Sequence, residues 1–328
     1  AMTGAIKGRI SKWPKADSPS LGDGLNACSG NISLDTVAKK LSRLYKLPPM
    51  PETAVRIMHL ISDPDADVAQ LASLIERDPS LSAQVMRYAR SALFHYRGEL
   101  SSVKDAVNIV LGFDRVSQLA MGIAASKAFN IPESGPLGLS NFWKHALYAG
   151  VLSQALALLA EPDLALDEKD AYLAGLLHNF GILLIGHLFP PEFKMLNKLR
   201  ESEPEASMSD IECQVFGMGG AQELIALGHG SIGAILLKLW GLPESSIKVA
   251  AMHQKENYDG EHDSYVQIVQ LANYFLAQHQ IGDESLEGYD PALALEKLGI
   301  DVDQALALAS ATIEQCQSLD GMVSHMAA

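Results

Sequence analysis

Apolar residues recur along this chain at intervals of three and four, almost from end to end, and alternation with period two is absent over any useful length. Val68, Leu71, Ala72 and Ile75 fall at i, i+3, i+4 and i+7 behind Asp67, a residue that caps helix N-termini well. Asp78-Pro79 reads as an N-cap followed by proline at the first helical position, with Leu81, Val85, Tyr88 and Ala89 as the apolar face behind it. Val116, Leu119, Ala120 and Ile123 repeat the pattern after Asp114. Such periodicity leaves an all-α fold as the expectation. Composition agrees: 48% hydrophobic residues support a sizeable core, while only 6% are aromatic.

Punctuation divides the pattern. The segment NIPESGPLGLSN (130–141) carries two prolines and two glycines between helical stretches, and LRESEPEASMSD (199–210) and NYDGEHDS (257–264) read as polar loops. The expected organisation is a basic leader over 1–30, a helical lobe over 31–130, a second lobe over 140–280 and an acidic helical extension over 281–328. The extension is expected to pack against the second lobe. No repeat of solenoid length is visible.

Charge and cysteine usage exclude several roles. A net charge of −14 opposes non-specific attraction to nucleic acid or anionic lipid. Residues 1–46 run against that balance, with eight basic and three acidic side chains and only Trp13 and Tyr45 as aromatics, and read as a solvated leader. Cys28, Cys213 and Cys316 form no CxxC pair and imply no disulfide framework, so a reducing cytoplasm is expected. Residues 1–20 do not resemble a signal peptide, and the apolar stretch Ala146–Ala160 falls short of the roughly 20 residues that span a bilayer. No membrane association is expected.

Chemistry, if there is any, belongs to the histidines. His145 lies in FWKHALYAG, His178 in AGLLHNFG, His229 in ALGHGSIGAILLKLWGLP, and His253 opens HQKENYDG. Imidazoles converging from several helices are how helical bundles build metal sites, yet a lone histidine in such a context equally suits a satisfied core position. GMGGAQ (217–222) lacks the strand, loop, helix context and the lysine of a phosphate loop, and no GxSxG or HExxH occurs. His187 reads as a helix-end residue, Met50, Met58 and Met86 as core filler, and Trp143 and Trp240 as packing anchors.

Taken in order, LPPMPETAVRIM (47–58), SDPDADVAQLASLIERDPSLSAQVMRYARSALF (62–94), KDAVNIVLGFDRV (104–116), WKHAL, AYLAGLLHNFGILLIGHLFP and HGSIGAILLKLWGLPESSIKVAAMH resemble the HDOD (HD-related output domain) family over about residues 44–280. Arg90 departs from the asparagine that the family often carries there. The resemblance implies bacterial signal transduction and descent from metal-dependent HD and HD-GYP phosphohydrolases, with the second lobe an HD-like bundle. It makes His145, His178, His229 and His253 candidate metal ligands. Asn179 and Asn273 then occupy positions where catalytic relatives carry aspartate. HQKENYDG looks like an eroded HD-GYP signature that keeps His253, Asp259 and Gly260.

The two asparagines decide the expected chemistry. A bridging aspartate gives anionic oxygen to two cations about 3.5–4 Å apart. Asparagine offers one neutral carbonyl. Mg²⁺ and Mn²⁺ want oxygen ligands and are poorly served by imidazoles alone, whereas nickel, zinc or iron could still be held. His178-Asn179 is therefore read as an inherited site without its catalytic charge, in a non-catalytic module whose partner is another signalling protein. Asn179 is expected to cap a helix end or bond to a neighbouring carbonyl, with Gly181 easing the turn after it. The alternative is a metal-dependent phosphohydrolase or phosphodiesterase acting on a nucleotide, with Asp170, Asp259 or Glu223 replacing the lost carboxylate. A third reading, a cyclic dinucleotide binder, relies on a basic rim of Lys144, Lys248 and Lys255.

Overall fold

In the computed structural model the protein is described over residues 45–204, 206–215, 228–256, 258–282 and 289–326, with Lys39, Leu41 and Arg43. The expected leader over 1–30, Glu223 and GMGGAQ lie outside these residues. Among the described residues the regular structure is entirely helical.

The first region holds α1 (Glu52–Ile61), α2 (Val68–Glu76), α3 (Pro79–Ala89) and α4 (Phe113–Ser126). The caps fall where the sequence puts them. Asp67 accepts from the Gln70 amide and Gln70 answers in a reciprocal capping box, while Asp78 accepts from the amides of Ser80 and Leu81 with Pro79 behind it. Leu81, Val85, Tyr88 and Ala89 are all buried, each of the larger ones contributing about 1.5–3 kcal/mol by leaving water. One boundary differs: α4 starts at Phe113, so Asp114 lies in the first turn, and Gly112 takes the N-cap position.

The second region holds α5 (Leu139–Leu159), α6 (Glu168–Leu177), α7 (Phe180–Leu188), α8 (Pro190–Ser202), α9 (Met208–Gln214), α10 (Gly228–Leu239), α11 (Glu244–Met252) and α12 (Asp263–Ala277). The 199–210 segment is less of a loop than its composition suggests, because α8 continues to Ser202 and α9 begins at Met208. From Glu168 to Leu188 the chain is long and apolar enough to cross a membrane, but 89% of its most apolar window is buried inside the fold. That stretch is two core helices, α6 and α7, joined at His178-Asn179.

Helix α5 is the axis of the second region and packs against α6, α12 and the C-terminal helices. Helix α4 touches α1 on one side and α6 on the other, joining the two regions through one continuous apolar core that runs from Leu41 to Met326. The C-terminal segment forms α13 (Pro291–Leu298), α14 (Val302–Cys316) and α15 (Asp320–Met326). It packs on α5 as expected, and it also reaches the first region: α15 lies against α3, and Ser318 Oγ accepts from the Leu93 amide.

Candidate functional site: a buried histidine and asparagine cluster

Four histidines that are 24 to 108 residues apart in sequence (His145, His178, His229, His253) meet in the second region, together with Asn179 and Asn273. None of the six is more than 3% exposed. His145 comes from the second turn of α5, His178 follows the last residue of α6, Asn179 precedes α7, His229 sits in the first turn of α10, His253 follows α11 and Asn273 is on α12.

Helix ends explain why several of these side chains point inward. The last carbonyls of a helix have no intrahelical donor. His178 Nδ1 lies 2.7 Å from Gly175 O, and His253 Nδ1 lies 2.8 Å from Ala250 O, each ring satisfying a carbonyl of its own final turn. A carbonyl only accepts, so both rings carry their proton on Nδ1 and turn Nε2 into the cluster.

The amides then bridge the rings. Asn273 lies between His178 and His145, with Nδ2 3.2 Å from His178 Nε2 and Oδ1 2.9 Å from His145 Nε2. Asn179 lies between His145 and His229, with Nδ2 3.2 Å from His145 Nδ1 and Oδ1 3.1 Å from His229 Nε2. His253 Nε2 also approaches His229 Nε2, at 3.2 Å. The expectation that Asn179 caps a helix is therefore corrected. It stands at the N-cap position of α7 without a side-chain cap bond, because its amide is engaged in the cluster.

Gly181 is corrected too. Its φ is not in the left-handed region, and what requires glycine is contact between α7 and α10. A Cβ there would lie 1.9 Å from His229 O and 2.8 Å from Gly233 N. Gly282, at φ +89°, lies against the His145 ring, where a Cβ would come within 2.8 Å of Cε1 and Nε2.

A carboxylate does enter, though not one of those anticipated. Glu212, on α9 and 1% exposed, places Oε1 2.7 Å from His229 Nδ1 and 3.0 Å from the His229 amide nitrogen. Asp259 is exposed, and Asp170 is half-buried in the first turn of α6, two turns before His178. Burial, with Asp167 nearby, raises the Asp170 carboxyl above its usual range. Glu212 was legible in one respect only: it follows Met208 and Ile211 at helical spacing behind the Ser207 cap, on the face that packs inward. A carboxylate on an apolar face needs a partner, and the sequence did not say which.

Two of the three lysines of the expected basic rim are ion-paired. Lys144 pairs with Asp320 at 2.9 Å and Lys248 with Glu261 at 3.6 Å, leaving Lys255 as an exposed side chain. The other readings stand where they were expected: His187 Nδ1 accepts from the Asn130 amide at a helix end, Trp143 is buried, and Trp240 donates from Nε1 to Pro48 O. Arg90, the departure noted above, donates to Leu100 O.

The family model for the HDOD domain matches residues 47–256, which include the first-region helices and five of the six cluster residues. The chain belongs to the HDOD domain family. Among solved structures, this HDOD chain is similar to a protein from Marinobacter aquaeolei VT8 named for signal transduction, at 30% identity and a TM-score of 0.75, covering 92% of this chain and 68% of that one. An HDOD domain protein of unknown function from Geobacter sulfurreducens shares 26% identity with a TM-score of 0.67, over 88% of this chain and 97% of its own. A protein from Shewanella amazonensis SB2B named as a phosphohydrolase has the same fold, at 22% identity and a TM-score of 0.64, over 90% of this chain and 98% of that one. An uncharacterised protein of Treponema pallidum is 27% identical over 228 residues, 68% of this chain, and the chain spans only 41% of that relative's length.

The resemblance to metal-dependent HD phosphohydrolases implies divalent metal, and the donor set does not fit it. The six converging side chains offer four imidazoles and two neutral amides, with no carboxylate oxygen among them. Each amide is spent on bridging two rings. The one carboxylate, Glu212, binds the outer nitrogen of His229, on the side away from the cluster. Among the described residues no group of three or more His, Cys, Asp or Glu is arranged to hold an ion.

Proposed function

We propose that this HDOD chain is a non-catalytic signalling output module, which presents a helical surface to another signalling protein and turns over no substrate. The observation that carries the reading is the unbroken chain of hydrogen bonds through His178, Asn273, His145, Asn179 and His229. Hydrolysis needs a metal-bound water at an open coordination position and charge to hold the metal. Here the side chains in the ancestral positions satisfy one another, are buried, and bring no carboxylate oxygen to an ion. The name of the Marinobacter neighbour is in keeping with a signalling role.

A phosphohydrolase is the second reading, and Glu212 is the observation in its favour. Carboxylates that hold the outer nitrogen of a metal-bound histidine are a common feature of metal centres. The test is metal content by plasma mass spectrometry on untagged protein purified without chelators, paired with hydrolysis of bis(p-nitrophenyl) phosphate. Metal-free protein without turnover is expected. A near-stoichiometric transition metal that disappears in the His178→Ala/His229→Ala variant, together with turnover, would overturn the proposal.

A further inference from the structure

The first region carries a group of cations that its surroundings do not offset. Arg87 and Arg90 lie one turn apart at the C-terminal end of α3, and both are exposed. Arg90 donates to Leu100 O at 2.6 Å, which holds the following loop against that helix end. Arg97 comes three residues before this contact and Lys104 four residues after it, and both are exposed as well. Among the described residues none of the four has a carboxylate within ion-pair distance. The acids nearest in sequence do not neutralise them. Asp105 Oδ2 accepts from the amides of Ser101 and Ser102 at 3.0 Å, and Glu99 is a single exposed charge.

An apolar side chain stands in water beside them. Lys104 leads into a π-helical turn, Ala106–Leu111, which packs against α3 and buries Ala106, Val107 and Leu111. Ile109 is on the outer side of that turn and 53% exposed, five residues beyond Lys104 and so about one π turn from it. A single exposed hydrophobic residue is ordinary. A β-branched one on a helical turn, however, gains nothing from burial and loses rotamer freedom. π-Helical turns are rare and frequently mark functional sites.

We infer that this face of the first region, Arg87, Arg90, Arg97 and Lys104 beside Ile109, docks an acidic amphipathic segment of the partner protein. The inference gives the proposed function its surface and rests on that reading. Guanidinium groups are weakly hydrated and grip carboxylates with two parallel N–H bonds, which suits three of the four cations to a protein interface. Ile109 supplies an apolar contact from which water can be expelled. Charge selects the occupant. Carboxylates spaced around an apolar residue complement the patch and extend no further than it does. A nucleic acid carries its charge well beyond the patch, where a chain of net charge −14 repels it.

The test titrates the full chain against a fluorescein-labelled helical peptide with glutamates flanking a row of leucines. Anisotropy is followed at about 0.1 M and about 1 M salt, where charges are screened beyond about 10 and 3 Å. Saturable binding at the lower salt that disappears at the higher is expected. Arg87→Glu/Arg97→Glu should weaken it about tenfold or more, because like charges then meet across the interface. Ile109→Ser should weaken it and leave its salt dependence unchanged, and Lys297→Glu, at an exposed position on α13, should have no effect. Circular dichroism checks each variant's fold, and if one fails to fold the other decides. No binding, or binding indifferent to the arginine reversal, would overturn the inference and leave the non-catalytic reading standing. Tighter binding of a single-stranded RNA of equal charge would overturn the occupant, as would a dimer that the same reversal dissociates. Phosphodiester turnover by the wild type would overturn the functional reading, whatever the peptide does.

Discussion

Glu212 and His229 are 17 residues apart in sequence and meet through a two-point contact, in which one carboxylate oxygen takes both the ring nitrogen at 2.7 Å and the backbone amide at 3.0 Å. The second carboxylate oxygen is buried and has no hydrogen-bond partner among the described residues. A charge held this way, away from water, is stabilising only while its partner is present. Glu212→Ala removes the carboxylate that holds the His229 ring nitrogen and backbone amide. Urea unfolding of the variant is expected to show a loss of about 3–5 kcal/mol, the range for breaking a buried pair by removing one partner. A loss under about 1 kcal/mol, as for an exposed ion pair, would contradict this account.

Gly181 and Gly321 give opposite expectations for the same change. At Gly181 a methyl group meets the His229 carbonyl, so Gly181→Ala must push α7 from α10 and is expected to cost about 1–3 kcal/mol or more. Nothing lies within 4 Å of a Cβ at Gly321, an exposed position in α15. Gly321→Ala should therefore gain about 0.5–1 kcal/mol from helix propensity. Equilibrium denaturation of the two variants side by side tests whether close approach, not turn geometry, selects glycine at 181.

Asp78 sets part of the acid limit. Partial burial works to raise its carboxyl, but the Lys127 ammonium at 2.5 Å and the amides of Leu81 and Ser80 outweigh that and hold it below its ordinary 3.8. With the native value depressed, the stabilisation is present above the ordinary value and is lost as pH falls through the native one. Asp78→Ala should cost about 1 kcal/mol at neutral pH, mainly as a lost N-cap. The gap to wild type should close on acidification, and a gap that persists at pH 2 would contradict the assignment.

Asp320 receives the Tyr148 hydroxyl at 2.7 Å and the Lys144 ammonium at 2.9 Å, fixing α15 to α5. Burial and that carboxylate raise the Tyr148 phenol above its usual range, and burial with Asp320 nearby pushes the Cys316 thiol up to about 12. Tyr148→Phe keeps the ring and removes the hydroxyl, and about 1.5–3 kcal/mol should go with it. Faster hydrogen exchange should appear in α15 and in α3, which α15 touches. Exchange confined to α15 would mean that the C-terminal helices do not brace the first region.

Restoring both carboxylates tests the missing charge of the site directly. Asn179→Asp/Asn273→Asp places anionic oxygen where Oδ1 atoms now lie 3.1 Å from His229 Nε2 and 2.9 Å from His145 Nε2. Two added buried charges need cations. The double variant is expected to lose stability alone and regain it with Mn²⁺, by about 2.7 kcal/mol at 100 times Kd. Wild type should show no thermal shift with the same metal. A double variant indifferent to Mn²⁺ would show that its geometry no longer supports an ion.

Helix periodicity, the Asp67 and Asp78 caps and the apolar faces were readable in the sequence because each rests on neighbours three or four residues away. The family and its four histidines were readable as ordered motifs, and the two asparagines showed that the charge of a metal site was missing. What the side chains do instead was not readable. Glu212, rather than Asp170 or Asp259, reaches the cluster because α9 packs against α10, a relationship between residues far apart in the chain. Gly181 resembles a turn residue in the one-dimensional string and is a contact residue in space. The bridged cluster exists only once His178 and His253 have turned to their own carbonyls and the amides have bridged the rings. Local sequence determines which helices form and what they carry; only long-range packing decides which donors and acceptors must share the buried interior.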